Sequence, residues 1–196
     1  MKNKFLINFC AFLLAYTGYI SAKAQQEELP FRQIEEYPED YTIGLVAARM
    51  IEGLGFRFYW ATDGLTENDL KFRPNESARN INETVDHIYG MTFMIGLSLQ
   101  LDKSEMFQGE GFQGKRKATL QNLALIRDIL KNSTEEDFHK YVIDYDNGKK
   151  LPFWNMINGP ISDSLWHCGQ IVSFRRSAGN PFNGKVSVLH GKVRRD

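Results

Sequence analysis

Cysteine is scarce in this 196-residue chain, which contains only Cys10 and Cys168. Because Cys10 lies in an N-terminal segment that we expect to be removed, the mature chain would keep one cysteine, and a single cysteine cannot form an internal disulfide. The fold must therefore depend on an apolar core. With 42% hydrophobic residues in the chain, we expect one domain with a substantial core.

The chain also lacks an excess of charge of either sign, since 24 basic residues are balanced by 24 acidic ones. Removal of residues 1–24 would take away Lys2, Lys4 and Lys23 and no acidic residue, leaving 21 basic against 24 acidic side chains. A mildly acidic mature chain argues against nucleic acid as a partner.

Long apolar runs are missing after the first residues, where one run extends from Phe5 to Ile20. A basic start precedes this run and Ala22-Lys23-Ala24 follows it, which is the order of a secretory signal peptide cleaved after Ala24. Polar and small residues at positions 16–19 interrupt the run too early for a membrane span. We therefore predict a bacterial periplasmic or secreted protein with no membrane segment after cleavage. An uncleaved anchor is the alternative.

The mature chain divides into three parts. Residues 25–40 are acidic, contain two prolines and have no hydrophobic period, which predicts an N-terminal arm lying on the domain or loose in solvent. Residues 41–181 carry the helical patterns and form the predicted domain. Residues 182–196 form a basic C-terminal tail.

Apolar residues at helical spacing predict four main helices in one bundle, near residues 43–62, 81–100, 117–131 and 160–178. Asp40 or Thr42 can cap the first helix, and Asn80 with Glu83 has the side chains of a capping box for the second. Three glycines in the first helix predict close packing against a neighbouring backbone.

Two connections between these helices have their own signals. Residues 102–116 are polar and rich in glycine, which predicts a mobile loop or a lid. Asn147-Gly148 stands between apolar runs and predicts a small β-hairpin directly before the last helix. At the start and end of that helix, Pro160 suits the first turn and Gly179 a left-handed cap.

The last predicted helix places Asp163 and His167 one turn apart on one face, opposite an apolar stripe. A carboxylate and an imidazole on a covered face need a partner that offsets the lost solvation. His87 faces inward, or nearly so, on the second helix. Together, His87, Asp163 and His167 are a ligand set that suits a divalent transition metal with open coordination positions. The alternative is a metal-free, hydrogen-bonded polar pair.

Two further side chains are weak catalytic candidates. Gln170 lies one turn after His167 and could orient a bound water or substrate, or simply pack as a polar group. Glu83 lies one turn before His87 and could act as a general base, although the capping role is favoured.

Other polar and aromatic residues have simpler interpretations. His139 and His190 are expected at the surface, and Cys168 on the apolar stripe is expected to be buried and unreactive. Arg175 and Arg176 could hold an anionic substrate near the helix end. The aromatic side chains at positions 59, 60, 154 and 166 are expected in the core or in a pocket wall.

Several stretches of the chain resemble the DinB/YfiT-like family. The resemblance covers nearly the whole mature chain and is carried by Asp69-Leu-Lys-Phe-Arg-Pro, by Ile81-Asn-Glu-Thr-Val-Asp-His87 and by Asp163-x-x-x-His167-x-Gly-Gln170. It implies an all-α, antiparallel four-helix bundle, here with a small hairpin before the last helix, and a divalent metal at one end held by His87, Asp163 and His167.

One ligand departs from the pattern of that family. Many members have a histidine where this chain has Asp163, while relatives such as mycothiol-dependent isomerases are similar in having an acidic residue there. A single oxygen ligand leaves the identity of the metal open among zinc, nickel, manganese and iron.

The resemblance implies an exported, metal-dependent transferase or hydrolase acting on a small molecule. Export argues against a thiol cofactor, since low-molecular-weight thiols are mainly cytosolic. The alternative from another class is a non-catalytic binding or stress-associated module in which the metal is structural or absent. A homodimer is left open as an assembly state.

Overall fold

A computed structural model describes residues 28–34 and 36–195 of the chain. The predicted signal peptide, residues 1–24, lies outside the described residues, so cleavage after Ala24 stays a prediction. The described part is mostly helical, with two small antiparallel β-hairpins. None of its helices is long and apolar enough to cross a membrane.

In the described part of the chain, four long helices enclose the main core. They are α1 (Ile43–Thr62), α3 (Ile81–Ser98), α4 (Gly111–Lys131) and α7 (Ser162–Ser177), and three short helices lie between them: α2 (Glu67–Lys71), α5 (Glu135–Lys140) and α6 (Phe153–Met156). Helices α1 and α3 each contact both α4 and α7. The core between them is made of fully buried aliphatic and aromatic side chains, including Ile51, Leu54, Phe58, Val85, Ile88, Ile95, Leu120, Leu123, Ile126 and Ile171.

Local capping explains where the first two long helices begin. Thr42 Oγ1 accepts a hydrogen bond from the Leu45 amide at 3.2 Å. Asn80 Oδ1 accepts from the Glu83 amide at 2.8 Å, and a carboxylate oxygen of Glu83 accepts from the Asn80 amide at 2.8 Å. Both predicted caps are confirmed, and with them the starts of α1 and α3.

Helix α4 begins earlier than predicted. It starts at Gly111, so the expected loop over residues 102–116 is wrong for its last six residues. The preceding segment is also fixed in place, because Met106 is buried and the Asn122 side chain bonds both the amide and the carbonyl of Phe107. Glycine at positions 111 and 114 lowered the helical signal of this first turn in the sequence.

The predicted hairpin is confirmed, since β1 (Val142–Asp144) pairs antiparallel with β2 (Lys150–Pro152) around Asn147-Gly148. The connection to the last helix differs from the prediction. Pro160 lies inside a π-helical turn, Ile157–Ile161, that joins α6 to α7, and not at the first turn of an α-helix. The wider turn suits a residue that has no amide hydrogen to donate. Gly179 has φ +88°, which confirms the left-handed cap.

The N-terminal arm and the C-terminal tail lie on the same side of α1. Phe31 is buried against α1, and the Trp60 indole donates to the Arg32 carbonyl at 3.0 Å. The Ile34 amide donates to the carbonyl of Gly191, which lies in the turn of a second hairpin. That hairpin, β3 (Val186–Ser187) with β4 (Lys192–Val193), was not predicted.

Candidate metal centre

His87, Asp163 and His167 converge where α3 meets α7. His87 Nε2 lies 2.8 Å from Asp163 Oδ2, and His167 Nε2 lies 3.4 Å from the same oxygen. The two imidazole rings are nearly perpendicular, with centroids 4.7 Å apart. One ligand atom from each residue lies within 4.8 Å of the other two, so the group could hold a metal ion.

These separations can be compared with those around a bound ion. Ligand atoms at about 2.1 Å from a tetrahedral zinc lie roughly 3.4 Å from one another. The distance between His167 Nε2 and Asp163 Oδ2 already has this value. The distance between His87 Nε2 and Asp163 Oδ2 is 2.8 Å, about 0.6 Å shorter than this value, and the ligand atoms of the group lie up to 4.8 Å from one another, so binding requires the side chains to rearrange around the ion.

Gln170 determines which nitrogen of His167 faces the site. Gln170 Oε1 lies 2.7 Å from His167 Nδ1. An amide oxygen can only accept a hydrogen bond, so this contact favours the tautomer of His167 with the proton on Nδ1. In the neutral imidazole, Nε2 then has a free lone pair directed at Asp163 and His87. Metal-binding histidines in proteins generally have their second nitrogen fixed in this way.

The side chains of His167, His87 and Asp163 differ in how far they are buried. The exposed fraction of the side chain is 10% for His167, 24% for His87 and 40% for Asp163. The expectation that all three face a covered interior holds for His167 and only in part for Asp163, which is half-buried. The cost of desolvation falls mainly on His167, and the open side gives small molecules access to the carboxylate.

A cleft of about 380 Å³ adjoins His167. It is lined by residues of the segment before α3 and by one face of α7, namely Ser77, Ala78, Arg79, His167, Gln170 and Phe174. Arg79 Nη1 lies 3.5 Å from His167 Nε2, at the limit of a hydrogen bond. The sequence offers no signal for Arg79, which lies outside any helix and 88 positions from its partner.

The two weak catalytic candidates have clear roles in the structure. Gln170 lines the cleft and fixes His167, which makes it a positioning residue. Glu83 closes the capping box of α3 with one oxygen and lies 3.2 Å from Arg73 Nη2 with the other. Because both oxygens are engaged, the geometry favours the capping role over that of a base.

Arg175 and Arg176, which were expected to be able to hold an anionic substrate, lie in different environments at the end of α7. Arg175 is buried and donates to the carbonyl oxygens of Trp60, Ala61 and Asn180, so it joins the end of α1 to the end of α7. Burial lowers the pKa of Arg175, although Asp69 and Asp63 counteract it. Arg176 is exposed, as its position on the helix indicated.

Most of the remaining predicted residues lie as expected. His139 and His190 are exposed, and Cys168 is buried, where desolvation raises the pKa of its thiol to about 12. Trp154 and Trp166 are exceptions, because each is 71% exposed and neither belongs to the core.

Comparison of the chain with protein families, with curated proteins and with solved structures finds no match in any of the three.

Proposed function

We propose that this chain is a metal-dependent enzyme, a transferase or hydrolase, that acts on a small molecule at the centre formed by His87, Asp163 and His167. The observation that carries the proposal is the convergence of two imidazoles and one carboxylate beside a cleft, with the lone pair of His167 Nε2 directed at the other two ligands. Three protein ligands leave coordination positions open, which is typical of catalytic and not of structural sites.

We also propose that the four long helices form the antiparallel bundle of the DinB/YfiT-like family. The contacts of α1 and α3 with both α4 and α7 support this arrangement. So does the position of the centre, which draws one ligand from α3 and two from α7, as the sequence resemblance implies.

The chemistry supplied by a bound divalent ion is that of a Lewis acid, which polarises a substrate oxygen or lowers the pKa of a coordinated water or thiol. His87 and His167 would hold the ion through Nε2, and Asp163 through Oδ2. The carboxylate contributes one negative charge and makes the donor set harder, which suits manganese or iron as well as zinc or nickel. Gln170 keeps the proton on His167 Nδ1.

The surroundings of the ligands determine how a substrate would be held. Arg79 and Gln170 provide polar groups in the lining of the cleft, and Ala78 and Phe174 provide apolar ones. The 40% exposure of the Asp163 side chain leaves a path from solvent to the ligands.

Metal analysis of the protein purified without a metal-affinity tag or chelator tests this function. We expect about one divalent ion per chain, in line with three convergent ligands. Water-proton relaxation of the manganese-loaded protein then tests for an open position. Absence of any ion after incubation with zinc, nickel, manganese and ferrous iron would overturn the proposal.

A second candidate, a non-catalytic binding module without a metal, has one observation in its favour. The polar groups of the centre already satisfy one another, since His87 bonds Asp163 and Arg79 contacts His167. A protein that binds no divalent ion, yet is destabilised by replacement of Asp163, would fit this candidate.

We also propose that the protein is exported to the periplasm or the medium, on the basis of the sequence of residues 1–24. A single N-terminal sequence of the secreted form tests it, with Gln25 expected as the first residue. Assembly as a homodimer stays open and is tested by sedimentation.

A further inference from the structure

Arg79 is a cation placed against a metal ligand. Its Nη1 lies 3.5 Å from His167 Nε2, and the neighbouring carboxylate oxygen Asp163 Oδ2 lies 3.4 Å from the same nitrogen. Without a metal, the guanidinium can donate to the lone pair of Nε2. A metal ion would take that lone pair, so Arg79 would lose this acceptor while remaining beside the centre.

The charges around the loaded centre would not balance. A divalent ion brings two positive charges and Arg79 a third, against the single negative charge of Asp163. Two acids of α3 are paired with cations, Glu83 with Arg73 at 3.2 Å and Asp86 through Oδ2 with Lys115 at 2.9 Å, while Asp86 Oδ1 is buried and has no hydrogen-bond partner among the described residues. The residues that line the cleft include no carboxylate. The loaded centre therefore lacks an anion.

We infer that Arg79, together with the metal at His87, Asp163 and His167, forms a binding site for a small organic oxyanion. This inference rests on the proposed function and adds the class of substrate. The planar guanidinium matches the two oxygens of a carboxylate or a phosphoryl group. Phe174 and Ala78 line the same cleft and provide apolar contact for the body of the molecule.

The experiment uses the full mature chain loaded with cobalt(II), whose visible absorption reports both metal binding and changes at its open positions. Three probes of similar size are titrated: benzoate, phenyl phosphate and the neutral benzyl alcohol. We expect benzoate or phenyl phosphate to change the cobalt spectrum and saturate, and which of them binds tighter identifies the anionic group. Benzyl alcohol is expected to bind at least tenfold more weakly, because it carries no charge.

Variants then separate Arg79 from the metal. Arg79→Gln should bind cobalt at least as tightly as the natural chain, since a neighbouring positive charge is removed. It should lose about tenfold or more in affinity for the anion, as expected for a charged hydrogen-bond donor. The affinity of Arg79→Lys for the anion should lie between those of Arg79→Gln and the natural chain. Arg73→Gln, which changes an arginine outside the cleft, is the matched control and should leave anion affinity within about twofold. Circular dichroism checks that each variant is folded.

Two results distinguish failure of the inference from failure of the proposed function. Cobalt binding with equal anion affinity in Arg79→Gln and the natural chain would overturn the inference alone, as would benzyl alcohol binding as tightly as both benzoate and phenyl phosphate. Absence of cobalt binding by the natural chain would overturn both.

Discussion

Gln170 Oε1 and His167 Nδ1 lie 2.7 Å apart, one turn along the same helix. The contact fixes both the ring orientation and the tautomer of His167, so that Nε2 and not Nδ1 faces Asp163. The influence of Gln170 on the centre is therefore exerted through His167.

We predict that Gln170→Ala weakens metal binding by about tenfold to a hundredfold, the usual effect of removing such a partner. The variant Gln170→Glu keeps an oxygen acceptor and should bind the metal with nearly natural affinity. Competition titration with a chromophoric chelator measures both affinities. Equal losses of metal affinity in Gln170→Ala and Gln170→Glu would contradict a role for the accepting oxygen.

Arg175→Ala should be strongly destabilising, whereas Arg176→Ala should be nearly neutral. The buried Arg175 guanidinium donates to three carbonyl oxygens at the ends of α1 and α7, which would be left without a partner. We expect a loss of about 2–4 kcal/mol in the free energy of unfolding. Urea denaturation followed by circular dichroism measures it. The exposed Arg176 is the matched control, and similar losses for both would contradict this account.

Asp69 should make stability depend on pH in the acid range. Burial alone would raise its pKa, but hydrogen bonds from Asn180 and Thr66 outweigh this effect and hold the pKa below its ordinary value. The folded state therefore binds a proton less readily than the unfolded state. The contribution of Asp69 is present above about pH 4, the ordinary pKa of aspartate, and is lost as the pH falls through the lowered value.

The variant Asp69→Asn tests this dependence. It should lose about 1–3 kcal/mol at pH 7, because Asn180 Nδ2 would lose a charged acceptor at 2.8 Å. Its free energy of unfolding should also fall less steeply than that of the natural chain below pH 4. Glu67→Gln, in the same short helix but exposed, should behave like the natural chain. If the free energy of unfolding decreased equally below pH 4 in Asp69→Asn and in the natural chain, the role of Asp69 would be contradicted.

Gly44 and Gly90 should respond in opposite directions to replacement by alanine. A Cβ atom at Gly44 would clash with the Leu130 carbonyl oxygen, whereas at Gly90 it would meet nothing within 4 Å. We expect Gly44→Ala to cost about 1–3 kcal/mol and Gly90→Ala to gain up to about 1 kcal/mol. Urea midpoints measure both, and a stabilising Gly44→Ala would refute the close approach of α1 to the end of α4.

Local signals in the sequence were sufficient for much of the fold. Thr42 and the Asn80–Glu83 box set the starts of two helices, because a cap acts on the backbone within three residues. Asn147-Gly148 predicted the first hairpin for the same reason, since the turn needs only local conformation. Asp163 and His167 could be placed together because their spacing is one helical turn.

Features that depend on contacts between distant residues could not be predicted. The helical pattern placed Arg176 on the solvent side of α7, but the burial of Arg175 depends on the packing of α7 against the end of α1. Arg79 reaches His167 from a segment without regular structure, so no periodicity indicates it. The early start of α4 likewise depends on Asn122 holding the backbone of Phe107.

The central claim is that His87, Asp163 and His167 bind one divalent ion, and the most direct test compares metal affinity in two histidine variants. His167→Ala removes the most buried ligand, and His139→Ala removes an exposed histidine outside the centre. Competition titration with zinc and manganese should show one site in the natural chain, unchanged in His139→Ala and weakened by more than about a hundredfold in His167→Ala. Both variants should keep the helical circular dichroism spectrum. Equal affinity in all three proteins would contradict the account.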